Sequence, residues 1–339
     1  MDILKNRMIY LTISIVLFVF SIWLLIIPKL NLWIDMTGGT QTEYTFKNEV
    51  NLEKTRTDLN NIWEKILLDW KKIINDVNAY TISWEKKLVV IAWFDNSIEE
   101  KTLEKLKNDF REQTISFLNT TDTDISETSY TNIWKNFGDY IKNTAILTLI
   151  IAIIAIAIYV TYAFSWVITW ISIYSFSLIT IITLFHDVII SSGLYIFTSM
   201  YLPEFKIDTF FITALLTILW YSINDTIVVF DRIRHNLMEF GGKKWNKWKT
   251  LYEIINLSIN ETLKRSIYTS LTLFFVLFTI FFFGPESIKW FILVMLFGTI
   301  IGTYSSIFLA SPILYITNKN NILQVYKKKI IKNEDKIVV

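Results

Sequence analysis

Residues 8–27 read MIYLTISIVLFVFSIWLLII, twenty residues without a charge, bounded by Lys5 and Arg7 before and Pro28-Lys29 after. That length crosses a hydrocarbon core of about 30 Å as a helix. No small-residue cleavage site follows, so the run is expected to stay as an uncleaved anchor rather than leave as a signal peptide. Further apolar runs lie near Thr144–Ala163, Tyr174–Ser199, Phe210–Phe230, Ser266–Phe283 and Phe291–Thr317. Six membrane spans are therefore expected, one followed by a large polar segment and five clustered.

Composition agrees. Of 339 residues, 53% are hydrophobic and only 19% charged, with a mean hydropathy of +0.40. Soluble domains carry about 25% charged residues. With no cysteine, thiolate sites and disulfides are excluded, and two histidines, His186 and His235, leave little for a His-rich metal centre. No P-loop, GxSxG or HExxH motif is present. Neither an enzyme nor a cofactor is expected, and a net charge of +2 gives no reason to expect nucleic acid as a partner.

Charge placement orients the spans. The tail before the first span carries Lys5 and Arg7 against Asp2. Asp231–Arg265 carries eight Lys/Arg and four Asp/Glu. The tail from Asn318 carries six Lys against Glu334 and Asp335. These regions belong on the cytoplasmic side under the positive-inside rule. The segment Lys29–Lys142 has fifteen basic and nineteen acidic residues and belongs outside. The expected organisation is 1–28 tail and first span, 29–142 external domain, 143–317 spans two to six including a cytoplasmic loop at 231–265, and 318–339 basic tail. Both termini are then cytoplasmic, and membrane lipids surround the spans.

Within 29–142, Thr40–Phe46 alternates as a strand, Leu52–Lys72 has helical spacing, and Val77–Ser83 and Leu88–Phe94 flank a turn. Ile98–Leu118 is helical and Asp124–Ile133 extended. The order β-α-β-β-α-β is that of an α+β ferredoxin-like domain. Between the fourth and fifth spans, Leu251, Ile254, Ile255, Ser258, Thr262 and Leu263 form a helical stripe. It suits a separate amphipathic helix at the membrane interface or an ordinary loop helix.

Ionisable residues inside spans cost about 2.5–3.5 kcal/mol each on insertion scales and are functional candidates. Asp225, beside Asn224 in YSINDTIVVF, is the sharpest. A carboxylate that alternates between a proton and a cation such as Arg265 is a proton-coupled switch; a fixed Asp225–Arg265 pair would only lock helices. His186-Asp187 is a proton-relay candidate or interhelical glue. Asp231, Arg232 and Arg234 fit interfacial anchors. Thr37-Gly38-Gly39 fits a tight turn.

Several stretches together resemble the SecF family, the smaller subunit of the bacterial SecDF complex. They are WIDMTGGTQTEY (33–44), LFHDVIISSGLYIF (184–197), ILWYSINDTIVVFDRIRHNL (218–237), NLSINETLKRSIYTSLT (256–272) and FGTIIGTYSSIFLASPIL (297–314). The resemblance implies half of a resistance–nodulation–division type transporter fold, with six spans and one external domain. It implies a SecD-like partner, the SecYEG channel and unfolded preproteins as partners, and use of the proton-motive force in export across the bacterial inner membrane. It carries proton coupling onto Asp225, Arg265, Asp187 and His186, and motif roles onto Asp35, Thr37, Gly38, Gly39, Asn224, Asp231 and Arg232. A lipid or small-molecule transporter half is the alternative, because a fold does not fix a function.

The chain departs from that pattern in one respect. It holds 13 Trp and 9 Gly. Trp33, Trp134, Trp166, Trp170, Trp220 and Trp290 stand where the family pattern has or takes Gly, and Trp84, Trp245 and Trp248 lie in turn-like segments. UGA codons read as Gly in the source cell but translated as Trp would produce this. At Trp220 the expectation is a crowded helix contact that displaces Asp225.

Overall fold

A computed structural model describes residues 2–26, 34–46, 54–55, 57–59, 67–68, 71–72, 74–82, 87–94, 99–121, 125–164, 171, 173–201, 207–241 and 250–318. Of the suspect tryptophans, 33, 84, 166, 170, 245 and 248 fall outside them, as do the basic tail and the polar middle of the 231–265 loop. The chain divides into two compact units. One holds Met1–Leu30, Leu147–Phe205 and Phe210–Val339; the other holds Asn31–Ile146 and Lys206–Thr209.

Among the described residues, six helices are long and apolar enough to cross a membrane, Leu4–Ile26, Phe137–Phe164, Tyr174–Tyr201, Thr209–Phe240, Leu251–Phe283 and Ile288–Asn318, and they supply most of the first unit. The third and sixth are mostly buried among the others, whereas the first, second and fifth are mostly exposed. Small residues set the close approaches, as expected where helices pack without a hydrophobic driving force. A Cβ on Gly193 would strike Ser21 of the first span; one on Gly298 would strike Ile218 of the fourth. One on Gly302 would lie 3.3 Å from Ser222 Cβ. Gly298 and Gly302 are one turn apart, so together they form a seat for the fourth span.

The fifth span corrects the expectation of a separate amphipathic helix. Leu251–Phe283 is one continuous helix opened by a capping box, in which Thr250 accepts from the Glu253 amide and Glu253 from the Thr250 amide. The apolar stripe is real, but this chain covers it: Leu251, Ile254, Ile255, Ser258, Ile259 and Thr262 are buried. Asn256 Oδ1 accepts from the Ile3 amide at 3.0 Å, and Asn236 Nδ2 donates to Ser258 Oγ at 2.9 Å. The stripe is satisfied by protein, so it does not need lipid.

In the second unit four antiparallel strands, β1 (Gly39–Thr45), β2 (Ile74–Ile82), β3 (Lys87–Phe94) and β4 (Ser126–Ile133), pair in the order β2-β3-β1-β4. A helix, Glu100–Thr121, connects β3 to β4. β3 reads KLVVIAWF because both its faces are covered. Leu88, Val90, Ala92 and Phe94 join Tyr44, Leu103, Phe110 and Leu118 in the main core. Val89 and Ile91 pack on the other face with Ile34. The helix expected over Leu52–Lys72 does not reach its end: Leu67–Leu68 pairs with Lys71–Lys72 as a two-residue antiparallel ladder.

Candidate functional site: a polar cluster among the third, fourth and sixth spans

Asp187 is fully buried in the third span. Three donors occupy its carboxylate. His186 Nδ1 lies 2.8 Å from Oδ1; Ser222 Oγ of the fourth span donates to Oδ2 at 2.5 Å, and Ser305 Oγ of the sixth span to the same oxygen at 2.6 Å. A carboxylate out of water needs such partners, since an isolated charge there is prohibitive. His186 is also buried; Phe18 of the first span stacks on its ring at 6.3 Å, and its Nε2 has no hydrogen-bond partner among the described residues.

Asp225 lies in the fourth span, one turn from Ser222. It is buried, at 8% exposure, and accepts from Ser306 Oγ of the sixth span. Arg265 and Asp187 are each near enough to act on it electrostatically. Arg265 forms no ion pair within 4.0 Å among the described residues, and it is exposed in this chain. Of the two arrangements expected, the structure shows no closed Asp225–Arg265 pair, and Ser306 holds the carboxylate. Nearby, Tyr221 OH and Thr303 Oγ1 both lie 2.6 Å from Ser270 Oγ, tying the fourth, fifth and sixth spans.

Ser305 and Ser306, consecutive residues of one helix and so pointing to different sides, reach different carboxylates just where the helix changes. Glu286–Ser305 is α-helical, Ser306–Ala310 is a π turn, and the helix resumes from Ser311. π turns insert one residue and recur at functional sites. Ser222, Ser305 and Ser306 do not stand out in the sequence, where hydroxyls in apolar runs are common. The available signal is the spacing Gly298-x3-Gly302 followed by Ser305-Ser306.

The other expected residues scatter. Asn224 is exposed. Asp231 pairs with Arg234 at 2.6 Å, and Arg232 with Glu261 at 2.6 Å. Trp220 is 65% exposed. That overturns the expectation of a crowded contact at this position: the close approach is made two residues to either side, at Ile218 and Ser222. Asp35, Thr37, Gly38 and Gly39 lie in the second unit. Gly38 caps the helical turn Ile34–Thr37, its amide donating to Ile34 O at 2.7 Å, with φ 76°. Gly39 has φ 147°, and a Cβ there would lie 2.6 Å from Ala92 O. Thr37 Oγ1 accepts from Trp93 Nε1 at 3.0 Å. Asp35 accepts from Thr209 Oγ1 at 3.3 Å, and burial raises its carboxyl above the usual range. These four residues shape a turn and are not part of the polar cluster.

Residues 113–320 match the family model for the protein export membrane protein SecD/SecF, C-terminal region. The chain is 33% identical over 326 residues to the protein translocase subunit SecF of Thermodesulfovibrio yellowstonii, covering 95% of this chain and 96% of that one. It is 31% identical over 319 residues to the SecF of Sebaldella termitidis, covering 94% and 92%. Among solved structures it is similar to SecDF from Thermus thermophilus, with a TM-score of 0.73 at 24% identity over 94% of this chain. It also matches SecDF in its super-membrane-facing form, with a TM-score of 0.63 at 22% identity over 97% of this chain. It spans 39% and 40% of those two chains. The chain is a multi-pass membrane protein and belongs to the SecF family of protein translocase subunits.

Proposed function

We propose that this chain is the SecF half of a SecDF-type complex that assists late steps of preprotein export at the SecYEG channel, driven by proton movement at Asp225. It works without enzymatic chemistry. The observation that carries the reading is a buried carboxylate held by the Ser306 hydroxyl, with a permanent cation, Arg265, in electrostatic range but not in contact. A carboxylate that can trade a hydroxyl partner for a guanidinium has two states that a proton can select.

Exposure supports a membrane partner, the SecD-like half. Asn224 lies near the middle of the fourth span and is exposed in this chain. A polar side chain facing hydrocarbon is costly, so protein covers it in the assembly. The same exposed face of that helix carries Trp220, one turn away.

The positive-inside distribution supports cytoplasmic termini in the inner membrane, with Lys29–Lys142 on the far side. The strand order supports a ferredoxin-like domain there. Numbering only the four sheet strands in sequence, it reads 2-3-1-4, all antiparallel, with the second helix returning from β3 to β4.

The test is Asp225→Asn, reconstituted with its SecD-like partner and SecYEG in vesicles. The variant is expected to assemble but to lose stimulation of export by a proton gradient. Full stimulation would overturn the reading.

A further inference from the structure

Two buried carboxylates on different helices end on consecutive residues of a third. Ser305 donates to Asp187 and Ser306 to Asp225. Each serine has one hydroxyl hydrogen and a second acceptor in reach. Ser305 Oγ lies 3.1 Å from Gly302 O, and Ser306 Oγ lies 3.1 Å from Thr303 O. An ionised carboxylate only accepts, so the serine must give it the hydrogen. A protonated carboxyl can donate to the serine oxygen, and the serine hydrogen then turns to the backbone carbonyl three residues back.

The two serines are linked at one atom. Gly302 O already accepts the backbone N–H of Ser306, which closes the α-helix before the π turn. A carbonyl oxygen has two lone pairs, so when the Ser305 hydroxyl turns fully onto Gly302 O it shares that oxygen with the Ser306 amide and weakens the amide bond. A weaker amide bond would loosen Ser306, which holds Asp225. The π turn that follows is the part of the helix with an alternative: its extra residue can be drawn back into the i→i+4 ladder. Ser311 Oγ steadies the present form, donating to Ser306 O at 3.3 Å.

We propose that the Ser305–Ser306 turn couples the two carboxylates, so that Asp187 with His186 and Asp225 take up and release protons as one unit. This rests on Asp225 being the proton site. Among the described residues, the titratable and charged groups around the pair are His186 on the third span and Arg265 on the fifth. Tyr221 turns its hydroxyl to Ser270, and Tyr304 turns its own to Tyr10 O. From the first span the Phe18 ring meets His186. Ser305 and Ser306 are positioning residues: they act through the carboxylates.

The experiment is infrared difference spectroscopy of the full chain in lipid nanodiscs across a pH series, following the protonated-carboxyl band. Asp187→Asn and Asp225→Asn assign the two contributions. Of the two carboxylates Ser305→Ala touches only Asp187, yet it is expected to move the Asp225 midpoint by about one pH unit or more, the size of shift that marks coupled sites. Ser305→Thr, which keeps the hydroxyl, is expected to restore it and also serves if the alanine variant does not fold. Ser222→Ala removes the other hydroxyl on the same Asp187 oxygen without touching the turn, and is expected to move the Asp225 midpoint less. Equal shifts from Ser305→Ala and Ser222→Ala, or none from Ser305→Ala, would overturn the proposal in favour of bare charge or independence. A coupled titration with export stimulation intact in Asp225→Asn would instead sink the functional reading and leave the coupling standing.

Discussion

The two units of the molecule bury opposite things. In the sheet unit the core is Tyr44, Leu88, Val90, Phe94, Phe110 and Leu118, and charged groups such as the Arg111–Glu127 pair lie towards the surface. In the membrane unit the exposed faces carry Ile, Leu and Phe, while Asp187, Ser222, Ser305 and Ser306 are buried. Each follows its solvent. Water rewards an apolar inside; hydrocarbon gives Leu no reason to hide and gives carboxylates every reason to. A buried polar cluster in the membrane unit is therefore a candidate functional site, and a buried charge in the sheet unit is the exception to be explained.

The largest break in this contrast comes from neutralising the cluster. Asp225→Asn is expected to abolish gradient-dependent stimulation of export in vesicles, and Arg265→Ala to do the same. Arg265→Lys should fail in part, because it keeps the charge without the planar fork. The double variant Asp225→Asn, Arg265→Ala should be no worse than either single one, since residues acting as a unit are non-additive. Additive losses would assign the two residues separate structural roles.

Next in size is the seat that brings the sixth span to the fourth. Gly298→Val places a branched side chain into Ile218, where even a Cβ already collides. Overpacking a close contact costs about 1–3 kcal/mol. Because the same seat aligns Ser305 with Ser222, the loss should appear as lower thermal stability of the detergent-solubilised chain together with weaker export stimulation. Gly284→Ala, far from the cluster, offers a comparison: its Cβ would meet the carbonyl and side chain of Ile280. It is expected to lower stability without touching the gradient response. Loss of that response in Gly284→Ala would show that any packing defect suffices.

The two units also differ in what can be read from residues alone. Alternation in TQTEYT and the stripe Leu103, Phe110, Leu118 expose the strands and helix of the sheet unit, because one face meets water. The spans are legible as spans, but their inward faces are not. A helix apolar all round has no periodicity to show which side is buried. Asp225 and Asp187 are visible as costly charges; the serines that hold them are not, because a hydroxyl in a span bonds its own backbone as readily as a neighbour. The continuity of Leu251–Phe283 is hidden because its first half reads amphipathic and its second half uniformly apolar.

A smaller effect is expected at the sheet unit's own exception. Lys107 falls on the buried stripe of its helix, at 4% exposure, with Nζ 2.8 Å from Asn132 Oδ1 and over the rings of Phe94 and Trp134 at 5.7 and 5.2 Å. Burial lowers its ammonium below the ordinary lysine range, with Glu104 opposing. Between the folded and unfolded values the unfolded chain binds more protons, so stability rises with pH through that alkaline window and levels off above the ordinary lysine range. Lys107→Met should remove this rise, measured by amide exchange of β3 in the full chain. A slope unchanged in the variant would assign it to another group.

The smallest effect is expected at Trp220. Its ring is 65% exposed in this chain, so Trp220→Gly should cost no more than the helix penalty of glycine, about 1 kcal/mol. It should leave the Asp225–Ser306 contact in place, because that contact depends on Gly298 and Gly302. Any larger consequence must come from a partner seated on this face, where an indole would hold the partner off and a glycine would let it approach. Comparing the unaltered chain with Trp220→Gly for assembly with the SecD-like half separates the two: stability within about 1 kcal/mol alone but clearly unequal assembly is the expected result. Mass spectrometry of the native peptide Ile218–Asp231 then decides which residue the source cell inserts, since the two residue masses differ by ~129 Da for a side chain that membrane packing treats as opposite extremes. Trp in that peptide would refute the UGA reading at this position and would require a ring-sized pocket on the partner's surface.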